Sequence, residues 1–484
     1  METLWRAEDL RELDRRTIEV AGLPGAALME LAGAAAAEIV RTRHPGLRRV
    51  AVVCGPGNNG GDGFVVARRL REAGLDAWIV LAAPRERFRG DAATMLHVAE
   101  QLEVPRRDDL LGAELVVDAL LGTGASGAPH GAIADWIGRI AQHAAPVLAL
   151  DIPSGIDATT GAVEGEAVRA GCTVSFHGRK LGTAIEPGRG HAGEVVTVPI
   201  GLARAFEPPP FAQLAALPDL RAIPGRSPVG SKYDAGSVLV VGGAPGTSGA
   251  PLLSARAALR AGAGVVFVAV AEENREQVAI GAAELMVHGT RDPDELLELA
   301  GRADAVVLGP GLGRADEATR IVDALVSGVE GALLLDADAL YALRGRLEVL
   351  RGRVGSTVLT PHAGELARLL GVEREQVSAA RLAHVTRAAE AAGCPVLLKG
   401  PDTLVATPGA PLRVVETAVP GLATAGAGDV LSGVVGALLA RGLAPADALA
   451  LGAVAHGAAA ARAAAILGAF SASDLERPLG LLLA

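Results

Sequence analysis

Short apolar, β-branched runs alternate along the whole chain with stretches of helical pattern, and this alternation constrains the fold more than any other feature. In the first half the runs are Val50–Val53, Ala77–Val80, Leu115–Val117, Val147–Leu150 and Thr173–Ser175. A helical pattern over Phe64–Ala73 stops at Gly74, a natural residue to follow a helix C-terminus. In the second half the runs are Val238–Val241, Val265–Val268, Val306–Leu308, Leu333–Leu335, Val358–Leu359 and Val396–Leu398. Strands alternating with helices build βαβ units around a parallel sheet. The expected class is therefore α/β, and ligand sites are expected just past strand C-termini, as in doubly wound sheets.

A chain of 484 residues is too long for one ordinary core, since domains cluster at roughly 100–150 residues. The alternation lapses at Glu207-Pro208-Pro209-Pro210, and Pro218, Pro224 and Pro228 follow. Proline removes a backbone donor and resists continuation of either regular structure. We therefore expect a first domain over 1–207, a proline-rich linker over 208–224 and a second domain over 225–484.

Net charge is −10, which argues against a nucleic-acid partner. Cys54, Cys172 and Cys394 are far apart and form no CxxC pair, so they read as buried small hydrophobes of a reducing compartment. The charged N-terminus carries no signal-peptide core. The Ala-rich run Gly25–Val40 is interrupted by Glu30 and Glu38 and is too short to span a bilayer. We expect a cytoplasmic protein without a membrane partner, forming a homo-oligomer.

Three loops of the first half carry chemistry. Gly55-Pro56-Gly57-Asn58-Asn59-Gly60-Gly61-Asp62-Gly63 leads from a strand into a helix. Glycines let the backbone approach a ligand, and a helix N-terminus favours anions. By itself this loop reads equally well as a turn with Asp62 as a helix cap. Asp118–Gly127 and Asp151-Ile152-Pro153-Ser154-Gly155-Ile156-Asp157 follow two further strands. A parallel sheet brings Asn59, Asp118, Asp151 and Ser154 to one rim, where clustered carboxylates call for protonation, hydrogen bonds or a hard cation.

The three motifs together, in this order, resemble the NAD(P)H-hydrate epimerase family, whose fold is Rossmann-like and three-layered; the resemblance covers about 1–200, and Lys180 and Gly182 also fit it. It implies that Asn58, Asn59, Gly60, Gly61 and Asp62, with Gly122, Thr123, Gly124, Ala125, Ser126, Gly127 and Ala128, contact the hydrated cofactor. It implies potassium ligation by Asn59, Asp118 and Ser154, and substrate contact by Asp151. Epimerisation at C6 calls for loss and return of water through a ring cation, and Asp151 is our candidate acid and base.

In the second half, Thr424-Ala425-Gly426-Ala427-Gly428-Asp429 precedes an apolar helix. Free amides at such a start suit phosphate oxygens, and Asp429 stands where a hydroxyl proton could be accepted. The arrangement resembles the ribokinase-like superfamily, with an α/β fold. Val241–Gly246 with Ser248–Pro251, Gly309-Pro310-Gly311-Leu312-Gly313, Leu335–Leu340, Leu359-Thr360-Pro361-His362-Ala363-Gly364-Glu365 and Leu398–Thr403 narrow it further. As an ordered set over 225–484 they resemble the ADP-dependent NAD(P)H-hydrate dehydratases. That resemblance implies that Ala250, Gly311, His362 and Asp429 contact the hydrated cofactor, and that Lys399, Gly400, Pro401, Asp402, Thr403 and Gly428 bind ADP. Asp336 and Asp338 read as caps of the turn after their strand and stay outside this site. Phosphoryl transfer from ADP to the C6 hydroxyl, with magnesium expected, would turn hydroxide into a good leaving group. The small molecules implied are hydrated NADH or NADPH and ADP. The glycine–aspartate loop supports a small-molecule kinase with a non-catalytic first domain equally well; the TPHAGE and KGPDT segments and the upstream domain favour dehydration.

Overall fold

The computed structural model describes residues 1–225, 229–416 and 419–483. Pro228 lies outside them. Two compact units form, Thr3–Ala212 and Gln213–Ala484, with Met1–Glu2 grouped in the second. The stretch expected to be a linker contains a strand, Ala212–Ala215, and a 3-10 helix, Leu217–Ala222. The prolines permit both. Pro208–Pro210 precede the strand, and Pro218 sits in the first turn of the helix, where its missing N–H costs nothing.

The first unit is built on a six-stranded sheet in the order Asp76–Leu81, Arg49–Cys54, Leu115–Ala119, Val147–Leu150, Cys172–Phe176, Glu194–Val198. Every neighbouring pair is parallel. Val50 and Val52 join one apolar cluster while Ala51 and Val53 join another, so both faces of the sheet are covered. The strand order reverses beside Arg49–Cys54, which opens a crevice at the C-terminal ends of that strand and of Leu115–Ala119.

One local expectation is corrected. The helix begins at Asn58, not Phe64, so Asn58–Gly63 form its opening turns. Glycine disfavours helix in isolation, but here it is needed for close approach. A Cβ on Gly60 would stand 1.8 Å from the Gly55 carbonyl oxygen.

In the second unit, six strands run parallel to their neighbours from Val396–Leu398 through Thr357–Leu359, Ala332–Leu335, Ala305–Leu308, Ser237–Val241 and Val265–Val270, and Met286–Gly289 adds a seventh at the edge. Thr403–Ala406 and Leu412–Val415 continue the other edge antiparallel. The order reverses beside Ser237–Val241, between the loops that follow it and Ala305–Leu308. Helix Ala427–Ala440 lies in the core against helix Gly249–Arg260, with Val238, Val240 and Val307 in the same cluster. Helix Pro445–Leu467 is long and apolar enough to cross a bilayer, but most of it is buried in that core.

Helices Gly249–Arg260 and Ala427–Ala440 touch through Gly433, where a Cβ would stand 1.9 Å from the Ser254 carbonyl oxygen. Overpacking of a filled core costs about 1–3 kcal/mol. Gly433→Ala should lower the stability of the second unit by that amount in denaturant unfolding, with the first unit's transition unmoved.

Candidate functional sites

In the first unit, loops after four strands surround a cavity of about 580 Å3. Asn58, Asn59, Asp62, Gly122, Asp151 and Lys180 line it, together with Thr123, Gly124 and Ala125. Asp151 sits at the end of its strand with φ +67°, left-handed backbone that a non-glycine residue rarely adopts. Such a conformation costs about 1–3 kcal/mol and persists where surrounding structure fixes it. Here Asp151 N–H donates to the Val174 carbonyl at 2.8 Å, and the Asp151 carboxylate is ion-paired to Lys180. Lys180 is 1 % exposed and also donates to the Phe176 carbonyl at 2.9 Å. The carboxylate and its ammonium partner therefore face the cavity as one fixed pair.

Beneath this rim, Asp118 is fully buried. Ser154 donates to it twice, from N–H at 2.8 Å and from Oγ at 2.7 Å, and Leu120 N–H adds a third bond at 3.1 Å. Burial nevertheless pushes the Asp118 carboxyl up to about 6, against the pull of those bonds. Asn59 donates from Nδ2 to the Leu121 carbonyl at 2.9 Å, and its Oδ1 is buried without a hydrogen-bond partner. The loops thus hold an orphan amide oxygen, a hydroxyl and a carboxylate, all hard oxygen donors carrying one negative charge between them.

Gly60 and Gly61 do not line the cavity. They pack behind it, against Gly55 and Met29. Ser126 and Gly127 border a separate, much smaller hollow with Pro153 and Asp157. Ala128 lines neither and lies beside Gly165.

In the second unit, Gly426 opens helix Ala427–Ala440 in a left-handed conformation, and Asp429 stands in the first turn. Burial first, then the negative charge of Asp336, pushes the Asp429 carboxyl up to about 7, with Lys399 opposing. Lys399 donates to Asp336 Oδ1 at 2.9 Å, and Ser432 Oγ donates to Asp336 Oδ2 at 2.5 Å. A Cβ on Gly428 would lie 3.3 Å from Lys399 Nζ. Lys399 N–H also donates to the Pro361 carbonyl at 2.9 Å, which brings the His362 loop alongside. His362 caps helix Ala363–Leu370 through Nδ1, and Glu365 closes the capping box. Burial holds the His362 ring below its ordinary pKa.

Other expected nucleotide contacts are engaged within the protein. Asp402 is fully buried and takes Arg381 Nη1 at 2.5 Å, while its carbonyl takes Arg381 Nη2 at 2.6 Å. Gly400 lies against the same guanidinium, and Thr403 is buried at the start of a strand. Gly400 and Pro401 are exposed. Gly311 accepts from Ala244 N–H and from Thr247 Oγ1, both at 2.7 Å, and so ties its loop to the turn that precedes Ala250. Removing one partner of a buried ion pair costs about 3–5 kcal/mol. Arg381→Met should therefore destabilise the second unit and raise KM for the nucleotide in a steady-state assay.

A family model described as NAD(P)H-hydrate dehydratase matches residues 238–479, and one described as YjeF-related protein N-terminus matches 25–182. A protein of Moorella thermoacetica called bifunctional NAD(P)H-hydrate repair enzyme is 38 % identical, with 97 % of this chain and 94 % of that protein covered. The namesake of Escherichia coli is 37 % identical over 95 % of this chain and 89 % of its own length. The chain belongs to the bifunctional NAD(P)H-hydrate repair enzymes. A solved ribokinase-like superfamily protein of Enterococcus faecalis superposes with a TM-score of 0.51 at 24 % identity, covering 56 % of this chain and 95 % of that one. The second unit accordingly has the fold of that ribokinase-like protein, as expected, and the first carries the parallel three-layer fold.

Three residues beside the two sites escape a reading of the sequence. Asp336, expected to be a turn cap, instead joins Lys399 to Ser432 in the candidate site of the second unit. Asp338 does not cap its own turn either: it reaches the loop after Ala305–Leu308, accepting Gly313 N–H at 3.0 Å and pairing with Arg314. Lys180 fits the family pattern, but its pairing with Asp151 spans 29 residues of sequence. Arg381 carries no motif at all; only its three-dimensional neighbours reveal it.

Proposed function

We propose that the first unit interconverts the R and S forms of hydrated NADH and NADPH, and that the second converts the S form to NADH or NADPH while ADP becomes AMP and phosphate. Epimerisation is assigned to residues 1–207 and dehydration to 225–484, joined by 208–224. The observation that carries this is the meeting of Asp429, Lys399 and Asp336 at the start of a helix that no side chain caps, a place suited to phosphate. In that unit Lys399, Gly400, Pro401 and Gly428 hold ADP, with the buried Asp402 and Thr403 behind them, and Ala250, Gly311 and His362 hold the hydrated ring. Asp429 accepts the C6 hydroxyl proton as that oxygen takes the terminal phosphoryl group of ADP. Phosphate then leaves C6, the neighbouring ring carbon gives up a proton, and the double bond returns. Magnesium, when bound, supplies neutralising charge on the phosphoryl oxygens.

In the first unit, Asp151 faces the reacting carbon, and Asn58, Asn59, Asp62, Gly122, Thr123, Gly124 and Ala125 surround the cofactor, with Gly60 and Gly61 packed behind them. Asn59, Asp118 and Ser154 fit a potassium ion, which would satisfy the orphan Asn59 oxygen and offset the buried Asp118 charge. Exchange of potassium for a large organic cation should lower both the melting temperature of the first unit and the epimerisation rate. Asn59→Ala should remove that cation dependence. We further propose a cytoplasmic homo-oligomer, which light scattering tests. Its three cysteines are buried and unpaired.

The deciding assay incubates the full chain with a mixture of hydrated NADH epimers and ADP. Complete recovery of NADH absorbance is expected. Absence of recovery, with phosphorylation of another alcohol, would establish a kinase instead.

A further inference from the structure

The first site contains a second carboxyl group that faces the cavity without a partner. Asp62 lies in the opening turns of helix Asn58–Glu72, lines the same cavity as Asp151, and is 9 % exposed. Among the described residues its carboxyl receives no hydrogen bond, whereas Asp151 is tied to Lys180. The groups that act on Asp62 are Asp151, Asp14 and Lys180, with the Cys54 thiol behind it; Arg11 and Asp91 complete the charged lining. Burial, and then the charges of Asp151 and Asp14, hold the Asp62 carboxyl well above the usual carboxylate range. Two carboxyls in one site thus stand in different surroundings: one is ion-paired, while the other is buried without a hydrogen bond, which favours the form able to donate a proton.

We propose that Asp62 is the proton donor that releases the C6 hydroxyl as water, while Asp151, paired with Lys180, faces the ring cation. The C6–O bond breaks with its electron pair on oxygen, which takes the Asp62 proton. The ring keeps one positive charge shared between C6 and the ring nitrogen. Water then adds to the opposite face, a new C6–O bond forms, and the surplus proton returns to the Asp62 carboxylate. This deepens the epimerase reading proposed above, rests on it, and moves the acid–base role from Asp151, which Lys180 already engages, to Asp62.

The test uses the full chain and separated epimers of hydrated NADH. Asp62→Asn should slow interconversion by about 100-fold or more, the range of a lost acid–base group. Thermal stabilisation of the first unit by the hydrate should persist, and ADP-driven dehydration of the S epimer should be unchanged. Asp62→Glu should restore part of the rate. In the wild type, interconversion should fall on the alkaline side as Asp62 loses its proton, and Asp62→Asn should lack that fall. Interconversion by Asp62→Asn at the wild-type rate, or loss of hydrate binding in step with rate, would overturn the assignment. Should that variant fail to fold, a wild-type profile flat on the alkaline side would overturn it equally. A wild-type chain that does not interconvert the epimers at all would instead bring down the underlying epimerase reading.

Discussion

Asp429→Asn should reduce dehydration of the S epimer by about 10²–10⁴-fold, the usual worth of a positioned acid–base group. Epimerisation should be untouched, because Asp429 and Asp151 belong to different units. The same carboxylate predicts a pH profile. A base acts only when ionised, and Asp429 is pushed up to about 7. On kcat/KM, which reports the free enzyme, dehydration should therefore be slow in acid, rise through about pH 7 and level off above it. Lys399 pulls the Asp429 carboxyl down, so Lys399→Met should move the rise to higher pH as well as weaken nucleotide binding. A rise near 4, where an unperturbed aspartate titrates, would show that neither burial nor the charges of Asp336, Asp338 and Glu365 govern Asp429.

The second large effect is expected at Lys180. Its ammonium is buried between Asp151 and the Phe176 carbonyl, so Lys180→Met leaves the Asp151 carboxylate without its counter-charge. Breaking a buried pair on one side costs about 3–5 kcal/mol. The Asp151 side chain is still 13 % exposed to the cavity, which favours the lower end, about 3 kcal/mol. Calorimetry should show one unfolding transition lowered and the other unchanged. Epimerisation should be lost while the S epimer is still dehydrated. Asp151→Asn combined with Lys180→Met should cost less than the two singly, as the coupling of contacting groups requires. Strict additivity would show that the two charges do not depend on each other.

Periodicity made the sheets legible. The runs Val50–Val53 and Val238–Val241 are strands because β-branched residues suit a pleat covered on both faces, and the loops after them do carry polar groups. Local rules failed where a partner far along the chain decides. Asn58–Gly63 read as a loop ahead of a helix at Phe64, yet these residues open the helix, and close packing on Gly55 and Met29 requires their glycines. Asp336 and Asp338 occupy alike places in a turn, and nothing local shows that the first bonds Lys399, 63 residues on, while the second bonds the Gly313–Arg314 loop, 25 residues back. Asp402 fell within a nucleotide motif, but only the position of Arg381 shows that its carboxylate is already engaged. The strand Ala212–Ala215 is short and lies among prolines, too brief for its period to be seen.

The segment around Trp5 bears on the order in which the first unit can be completed. Trp5 pairs with Lys180, receives Leu181 N–H at its carbonyl, and donates from its own N–H to Arg179 at 2.9 Å. During synthesis Trp5 emerges early and must wait for residues some 175 positions later before it finds these partners. A ribosome-bound chain arrested before Lys180 therefore holds a sheet without its ion pair. One arrested soon after Ala212 already has every residue of the first cavity, before the second unit has been translated.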